Sequence, residues 1–365
     1  MKNIAIVIDG LTGGGAERVM ISLATELISQ GNKVTILSLS NRCDYIIPET
    51  IPVFYLFPHK ASKVDRFWQK KASIRKLENW FKDAQQQGNT FDLILSNLDR
   101  SNNLLAQSSI KPVFYIVHNS VEEELTRQKK LGLLAYWYLL KSKKNLSGKN
   151  LITVSQGIEQ EIIKGNTITP KSIRTIYNPF DINDIQQKAS ISNSAIPSEP
   201  YIIHVGRLAK QKRHDILFAA LSEVKTDIKL VLLCNKPEKA KKLAAKYGVS
   251  HRLILPGFQK NPYNWIKNAK ALVLSSDYEG LPTVLLEAIA VNTKVVSTDC
   301  PHGPNEILTN ELSQFLTPRR DHKMLADAIE RVLSYEIDLS KADILSKVTA
   351  QQISQQYLSL TEHQD

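Results

Sequence analysis

Residues 271–290 read ALVLSSDYEGLPTVLLEAIA. The apolar run at 271–275 is a strand. Pro282 suits the first position of a helix, where its missing N–H would have had no partner anyway, and Gly280 lets the backbone come close to a ligand. Glu279 then lies in the loop. Glu287, eight residues on, lies a little over one turn into the helix beside Val284, Leu285 and Ala288. A carboxylate among apolar side chains is costly to bury alone, and the hydroxyls of a ribose or hexose are suitable partners, so one carboxylate can hold each sugar. The other reading open here has Glu279 capping the helix and Glu287 facing water.

The same strand, turn and helix recur along the chain. Short Val/Ile-rich runs alternate with longer amphipathic stretches, the pattern of βα units feeding a parallel sheet. In the first half these runs are Ile4–Ile8, Val34–Leu39, Val53–Phe57, Leu93–Leu95, Val113–Val117, Leu151–Val154 and Ile173–Tyr177. The pattern lapses at 181–200, where Ser192, Ser194, Pro197, Ser198 and Pro200 crowd together as in a linker. It resumes with Tyr201–Val205, Lys229–Leu233, Leu253–Leu255, Leu272–Leu274 and Val295–Ser297. A length of 365 residues also favours two domains, and two domains imply a cleft. The expected division is 1–180, a linker at 181–200, a second domain at 201–340 and a C-terminal helix at 341–365 whose docking the sequence leaves open.

Composition excludes several classes. With 42% hydrophobic and 23% charged residues the chain is neither disordered nor fibrous. The start, MKNIAIVIDG, has one basic residue and an apolar run ending in an acid, which is a strand and not a signal peptide. No run approaches the roughly 18 apolar residues of a membrane span, LGLLAYWYLL at 131–140 being far short. A cytoplasmic protein is the expectation. Cys43, Cys234 and Cys300 are too scattered for a disulfide framework or a zinc site. Of the net charge of +11, residues 1–180 carry most, with 24 Lys+Arg against 15 Asp+Glu. The first half is therefore expected to meet something anionic, unless its basic face merely aids solubility.

Two further segments carry candidate chemistry. Gly13-Gly14-Gly15-Ala16-Glu17-Arg18 joins the first strand to a helix, where free backbone N–H groups can meet an anion; it departs from GxGxxG, and a tight turn without ligand fits equally well. His204-Val205-Gly206-Arg207-Leu208 ends a strand and is followed by Lys210, Lys212 and Arg213. Ligands of open α/β sheets bind at the carboxyl ends of strands, so Arg207 and Lys212 can clamp a diphosphate from two directions. A solvated basic loop is the other reading.

Taken in order, GGGAER at 13–18, GRLAKQKR at 206–213 and the Glu279/Glu287 pair in E-x7-E spacing resemble the retaining glycosyltransferases of family 4. The resemblance runs over almost the whole chain. It implies the α/β GT-B fold, two Rossmann-like β/α/β domains facing across a cleft, and an enzyme moving a sugar from a nucleoside diphosphate, with uridine the favoured base, to an acceptor. Arg207 and Lys212 match the pair that neutralises the departing diphosphate. Glu279 matches the carboxylate on the donor sugar's hydroxyls, and Glu287 the one on the ribose. The N–H groups of Leu281, Thr283 and Val284 match the donor-phosphate contacts at a helix start, with Gly206 and Gly280 in the same donor-binding set and Gly14 and Gly15 reaching the donor from the opposite domain. His118, which ends the run Tyr115-Ile116-Val117-His118, resembles the histidine that contacts the donor sugar. Asn178-Pro179 looks like the interdomain segment, and DCPHGPNE at 299–306 like a loop of a bacterial branch. The retaining mechanism so implied needs no covalent carboxylate, no general base, no metal and no cofactor, the leaving phosphate taking the acceptor's proton.

The acceptor is expected to be a glycan or a lipid-linked glycan of bacterial lipopolysaccharide, capsule or O-antigen synthesis. Residues 60–76 hold seven basic residues against Asp65 alone, and Phe67, Ile74, Leu77 and Phe81 follow helical spacing beside Trp68 and Trp80, as in a helix lying on an anionic membrane. The segment 127–149 brackets the apolar Leu131–Leu140 with Arg127, Lys129, Lys130, Lys141, Lys143 and Lys144. Both segments can instead pack as core helices with basic outer faces, a reading at least as good for the second. No nucleic-acid motif is present. A sugar-nucleotide epimerase and a non-enzymatic sugar-nucleotide sensor are the alternatives.

Overall fold

The structure is a computed structural model that describes residues 1–12, 15–58, 64–65 and 67–362, apart from the side chains of Phe67 and Lys341. The chain forms two compact units, Met1–Phe180 with Val348–Asp365, and Asp181–Lys347.

The first unit holds β1 (Asn3–Ile8), β2 (Lys33–Ser40), β3 (Val53–Phe57), β4 (Leu93–Asn97), β5 (Val113–Val117), β6 (Asn150–Thr153) and β7 (Ser172–Thr175). They form one parallel sheet in the order β3-β2-β1-β4-β5-β6-β7. β1 is central, with Ile6 level with Ile36 on one side and Leu95 on the other, and Ile4 to Ile8 are wholly buried. Because helices cover both faces of such a sheet, its central strands are unbroken apolar runs and do not alternate. The chain reverses its direction of winding between β1 and β4.

The second unit holds β8 (Tyr201–Val205), β9 (Lys229–Leu233), β10 (Leu253–Ile254), β11 (Ala271–Leu274), β12 (Lys294–Asp299) and β13 (Leu316–Pro318). Its parallel order is β10-β9-β8-β11-β12-β13, so its reversal falls between β8 and β11. Each is a Rossmann-like arrangement, and in each the reversal opens a crevice at the carboxyl ends of two central strands.

Two features differ from the sequence reading, and a third, the docking of the C-terminal end, is one that reading leaves open. β13 goes beyond the strands read from sequence; it is a three-residue edge strand ending in proline, which an edge tolerates and which leaves no periodicity to read. Residues 182–189, expected within a linker, form a helix capped by Asp181 and anchored by buried Ile185 and Ala189, with Gln186 Nε2 donating to Ala290 O at 2.9 Å. Two apolar anchors in a polar segment give too faint a pattern to register. At the other end, the chain rejoins the first unit at residue 348: Phe180 N donates to Val348 O at 2.8 Å, and Ala350 N donates to Phe180 O at 3.2 Å. The helix Ala350–Ser359 then packs on Gly15–Ser29, where Gln30 Nε2 donates to Ser354 Oγ at 2.6 Å.

Candidate active site

In the second unit the loops after β8 and β11 are tied together by their own backbones. Asp277 N donates to Gln211 O at 2.8 Å, Gln211 Nε2 to Tyr278 O at 2.7 Å, and Ser275 Oγ to Lys212 O at 2.8 Å. Arg213, in the left-handed region at φ 48°, is held by Asp215 and Asp277, and Asp277 is gripped again by Arg320. Arg213 is thus a brace that turns the chain into the helix His214–Glu223. The braced loops place Lys212 Nζ 2.7 Å from Glu279 Oε1, with both side chains largely out of water. Gly206 lies against the same lysine: a Cβ there would stand 3.5 Å from Lys212 Cε and 3.2 Å from His204 Nε2. Arg207 points outward, exposed, and makes no ion pair with any described residue.

A third loop supports the second. Glu279 N donates to Pro301 O at 2.7 Å and His302 N to Glu279 O at 3.0 Å, clasping the β11 loop to the loop after β12. Gly303, at φ 96°, fits between them; a Cβ would fall 2.6 Å from Gly280 O and 2.7 Å from Pro282 Cδ. The helix Thr283–Ala290 follows, with Pro282 at its cap and no side-chain cap bond. Glu279 therefore does not cap it, and Glu287, only 8% exposed, does not face water. A helix start without a side-chain acceptor leaves its first N–H groups for an anion, here beside buried Gly280 and Leu281 and half-buried Thr283. Beneath the site, His204 Nδ1 meets Val273 O at 2.8 Å and the His214 ring lies 4.8 Å from that of His204. Burial pushes His214 down to about 4 and lifts the Cys300 thiol, so at neutral pH the floor of the site is uncharged.

The first unit holds the remaining expected residues. Gly15 opens its helix with no atom within 4 Å of a Cβ, so nothing in its surroundings demands glycine, and Gly14 lies outside the described residues. His118 follows β5, with Nε2 at 3.1 Å from Asn97 Oδ1; burial lowers it to about 4, which makes it a neutral imidazole. Two neighbours at this sheet end were not singled out from sequence. Asp9 accepts from Ser101 N and Ser101 Oγ, each at 2.7 Å, and burial raises it to about 6. Lys143 is buried between Asp99 at 2.8 Å and Glu124 at 2.7 Å, which raise its ammonium above the ordinary range. The acid ending the first apolar run was the only sequence trace of Asp9; Lys143 looked like one more surface lysine.

The two basic segments fall differently between the readings open for them. Lys60, Lys63 and Arg66 lie outside the described residues. In the helix Phe67–Gln86, Leu77 is buried while Trp80 and Phe81 pack inward, Trp80 stacking on Phe91 at 6.0 Å and meeting Phe54 edge-on at 5.6 Å. Leu77, Trp80 and Phe81 are thus engaged within the unit, Trp68 is exposed, and the side chain of Phe67 lies outside the described residues. The core-helix reading of 131–140 holds only toward its end, where Leu139 is buried; Leu131, Leu133, Leu134 and Trp137 stand in solvent. Among the described residues no helix is long and apolar enough to cross a membrane, and no group of three or more His, Cys, Asp or Glu is arranged to hold a metal ion.

Comparison with known proteins adds relatives to this geometry. A transferase of Campylobacter jejuni, N-acetylgalactosamine-N,N'-diacetylbacillosaminyl-diphospho-undecaprenol 4-alpha-N-acetylgalactosaminyltransferase, is 27% identical over 85% of this chain and 84% of its own. The amylovoran biosynthesis glycosyltransferase AmsD of Erwinia amylovora is 26% identical over 85% of each chain. Among solved structures, Anabaena HepE in complex with UDP-glucose superposes with a TM-score of 0.74 at 17% identity, covering 99% of this chain and 100% of that one, a likeness of fold. The model of Glycosyltransferase Family 4 matches residues 13–184 and that of Glycosyl transferases group 1 matches residues 186–349. With its two Rossmann-like units matched in turn by these two models, the chain belongs to the glycosyltransferases of the family 4, group 1 type, with the GT-B fold.

Proposed function

We propose that this glycosyltransferase takes a UDP-sugar and transfers the sugar, with retention at the anomeric carbon, to a glycan or lipid-linked acceptor in bacterial lipopolysaccharide, capsule or O-antigen synthesis. The observation that carries this reading is the Lys212–Glu279 contact at the β8/β11 reversal, beside a helix start with no side-chain cap. A diphosphate at that helix start meets Lys212 and the outward Arg207, cations suited to the charge that grows as it departs. Glu279 and Glu287 accept from sugar hydroxyls. The bond from C1 to the phosphate oxygen breaks, C1 bonds to the acceptor oxygen on the same face, and the acceptor's hydroxyl proton passes to the leaving phosphate. His118, Gly14 and Gly15 are further candidate donor contacts by resemblance to the family.

The named substrate of the Campylobacter transferase, a diphospho-undecaprenol glycan, supports a lipid-linked acceptor, and the Anabaena complex supports UDP as the carrier. Exposed Lys71, Arg75 and Lys76 on the helix Phe67–Gln86 support an encounter with that acceptor at an anionic membrane surface, on its cytoplasmic side. The test is transfer from a panel of UDP-sugars to lipid-linked acceptors, with the product's anomeric configuration read by NMR. A product with the donor's configuration is expected. Inversion would overturn retention, and isomerised sugar nucleotide formed without acceptor would establish the epimerase.

A further inference from the structure

The helices Val121–Leu131 and Leu133–Lys144 form a hairpin that turns at Gly132, which at φ 139° is the C-cap of the first and the N-cap of the second. Around that turn the chain places large apolar side chains in solvent: Leu131 is 60% exposed, Leu133 66%, Leu134 89% and Trp137 61%. On the second helix, residues 133, 134 and 137 share one face, and the same face continues into exposed Lys141 and Lys144 one and two turns further on. Lys129 and Lys130 stand equally exposed on the last turn of the first helix. The tip is therefore apolar and its collar is cationic.

The charge around this tip selects its occupant. From Leu125 to Ile158 the sequence contains no Asp or Glu. The hairpin's own carboxylates, Glu122, Glu123 and Glu124, lie in the first turn of its first helix, at the opposite end of that helix from Gly132. Lys143 engages Glu124 and Asp99, and Asp65 accepts from Tyr138 Oη and faces Arg100. Lys141 stands close enough to Lys70 on the neighbouring helix to disfavour its charge. Two such tips from two copies of the chain would bring cations against cations. A polyanion without an apolar phase would leave four large hydrophobic side chains in water. An anionic bilayer satisfies both parts, since it offers acyl chains to the tip and phosphates to the collar.

We propose that this hairpin seats the protein on anionic phospholipid by inserting Leu131, Leu133, Leu134 and Trp137 at the boundary between headgroups and acyl chains, with Lys129, Lys130, Lys141 and Lys144 at the phosphates. The contact differs from one made by the basic helix Phe67–Gln86, whose Leu77, Trp80 and Phe81 are engaged within the unit. It also stands apart from glycosyl transfer: the donor test reads Lys212 and Glu279, vesicle binding the hairpin, so either can fail alone.

The experiment is co-sedimentation of the full chain with vesicles of phosphatidylcholine alone or mixed with phosphatidylglycerol. The chain is expected to bind the mixed vesicles and to bind pure phosphatidylcholine far more weakly. The double substitution Leu134→Ser with Trp137→Ser removes two exposed side chains and is expected to weaken binding about tenfold or more while leaving the melting temperature unchanged. Lys71→Ala with Arg75→Ala should cost less than that. The proposal is overturned if the wild-type chain does not bind mixed vesicles, if the Leu134/Trp137 variant binds as well as wild type, or if these side chains instead hold two copies together in solution.

Discussion

Lys212 Nζ and Glu279 Oε1 stand 2.7 Å apart although 67 residues separate them in sequence, one on the loop after β8 and the other on the loop after β11. The pair exists because β8 and β11 are neighbours at the reversal of the sheet and their loops are cross-bonded through Gln211 and Ser275. In the proposed donor site a cation and a carboxylate thus already orient each other. Lys212→Ala and Glu279→Ala are each expected to lower turnover about 10²-fold or more, the scale for losing a charge partner of the transition state. Since each single change also strands its partner, the double variant should lose less than the product of the two. Steady-state rates with one donor and acceptor check both statements, and near-normal activity in both single variants would remove these residues from the mechanism.

Gly303 and Gly15 make opposite predictions. Gly303 has both a positive φ and a backbone oxygen where a Cβ would sit, so Gly303→Ala must displace the Gly280–Pro282 turn. A loss of about 1–3 kcal/mol is expected, along with weaker stabilisation by donor. Gly15→Ala meets open space at a helix start and should change stability by no more than about 0.5 kcal/mol. Urea unfolding of the two variants, with and without UDP, separates the cases.

The buried histidines set a pH dependence whose sign is fixed. His214 is lowered from 6.5 to about 4, so between those values the unfolded chain binds a proton that the folded chain refuses, and stability falls as pH drops through that window. By pH 5 the loss is about 2 kcal/mol from this residue, with His118 acting in the same direction. Asp9, raised to about 6, works the other way between 3.8 and 6, because there the folded state keeps the proton, and it offsets part of the fall. Neither ring nitrogen of His214 meets a hydrogen-bond partner among the described residues, so His214→Phe loses no bond at pH 7. Its melting temperature should fall less than that of the wild type between pH 7 and pH 5.

Lys143 joins two carboxylates inside the first unit. Lys143→Met keeps the volume and removes the charge, leaving Glu124 and Asp99 without their shared cation, and should cost about 3–5 kcal/mol. Adding Glu124→Gln should restore part of that loss in urea unfolding. No recovery would mean that the lysine stem, and not its charge, stabilises the unit.

The elements that the sequence discloses are those whose burial forces a pattern. Buried parallel strands such as β1 and β8 must be apolar throughout, and loops that turn sharply beside them need Gly and Pro, so Gly206, Gly280 and Pro282 stand out in a single chain. Lys212 and Glu279 were legible as types at strand ends, whereas their contact was not, because it depends on the β8/β11 adjacency. Asp9, Lys143 and the brace of Asp277 between Arg213 and Arg320 are pairings across long sequence distances, with nothing local to mark them. The exposure of Leu133, Leu134 and Trp137 was equally hidden, since an apolar run of ten residues reads the same whether a domain or a solvent surface receives it.

The most direct test of the donor site is thermal unfolding of the wild-type chain and Lys212→Ala against a panel of nucleotide sugars at millimolar concentration. A ligand bound only by the folded state must raise its melting temperature. One UDP-sugar is expected to stabilise the wild type clearly and Lys212→Ala much less. No shift with any nucleotide sugar or free nucleotide, or an equal shift in the two proteins, would contradict a donor site built on Lys212 and Glu279.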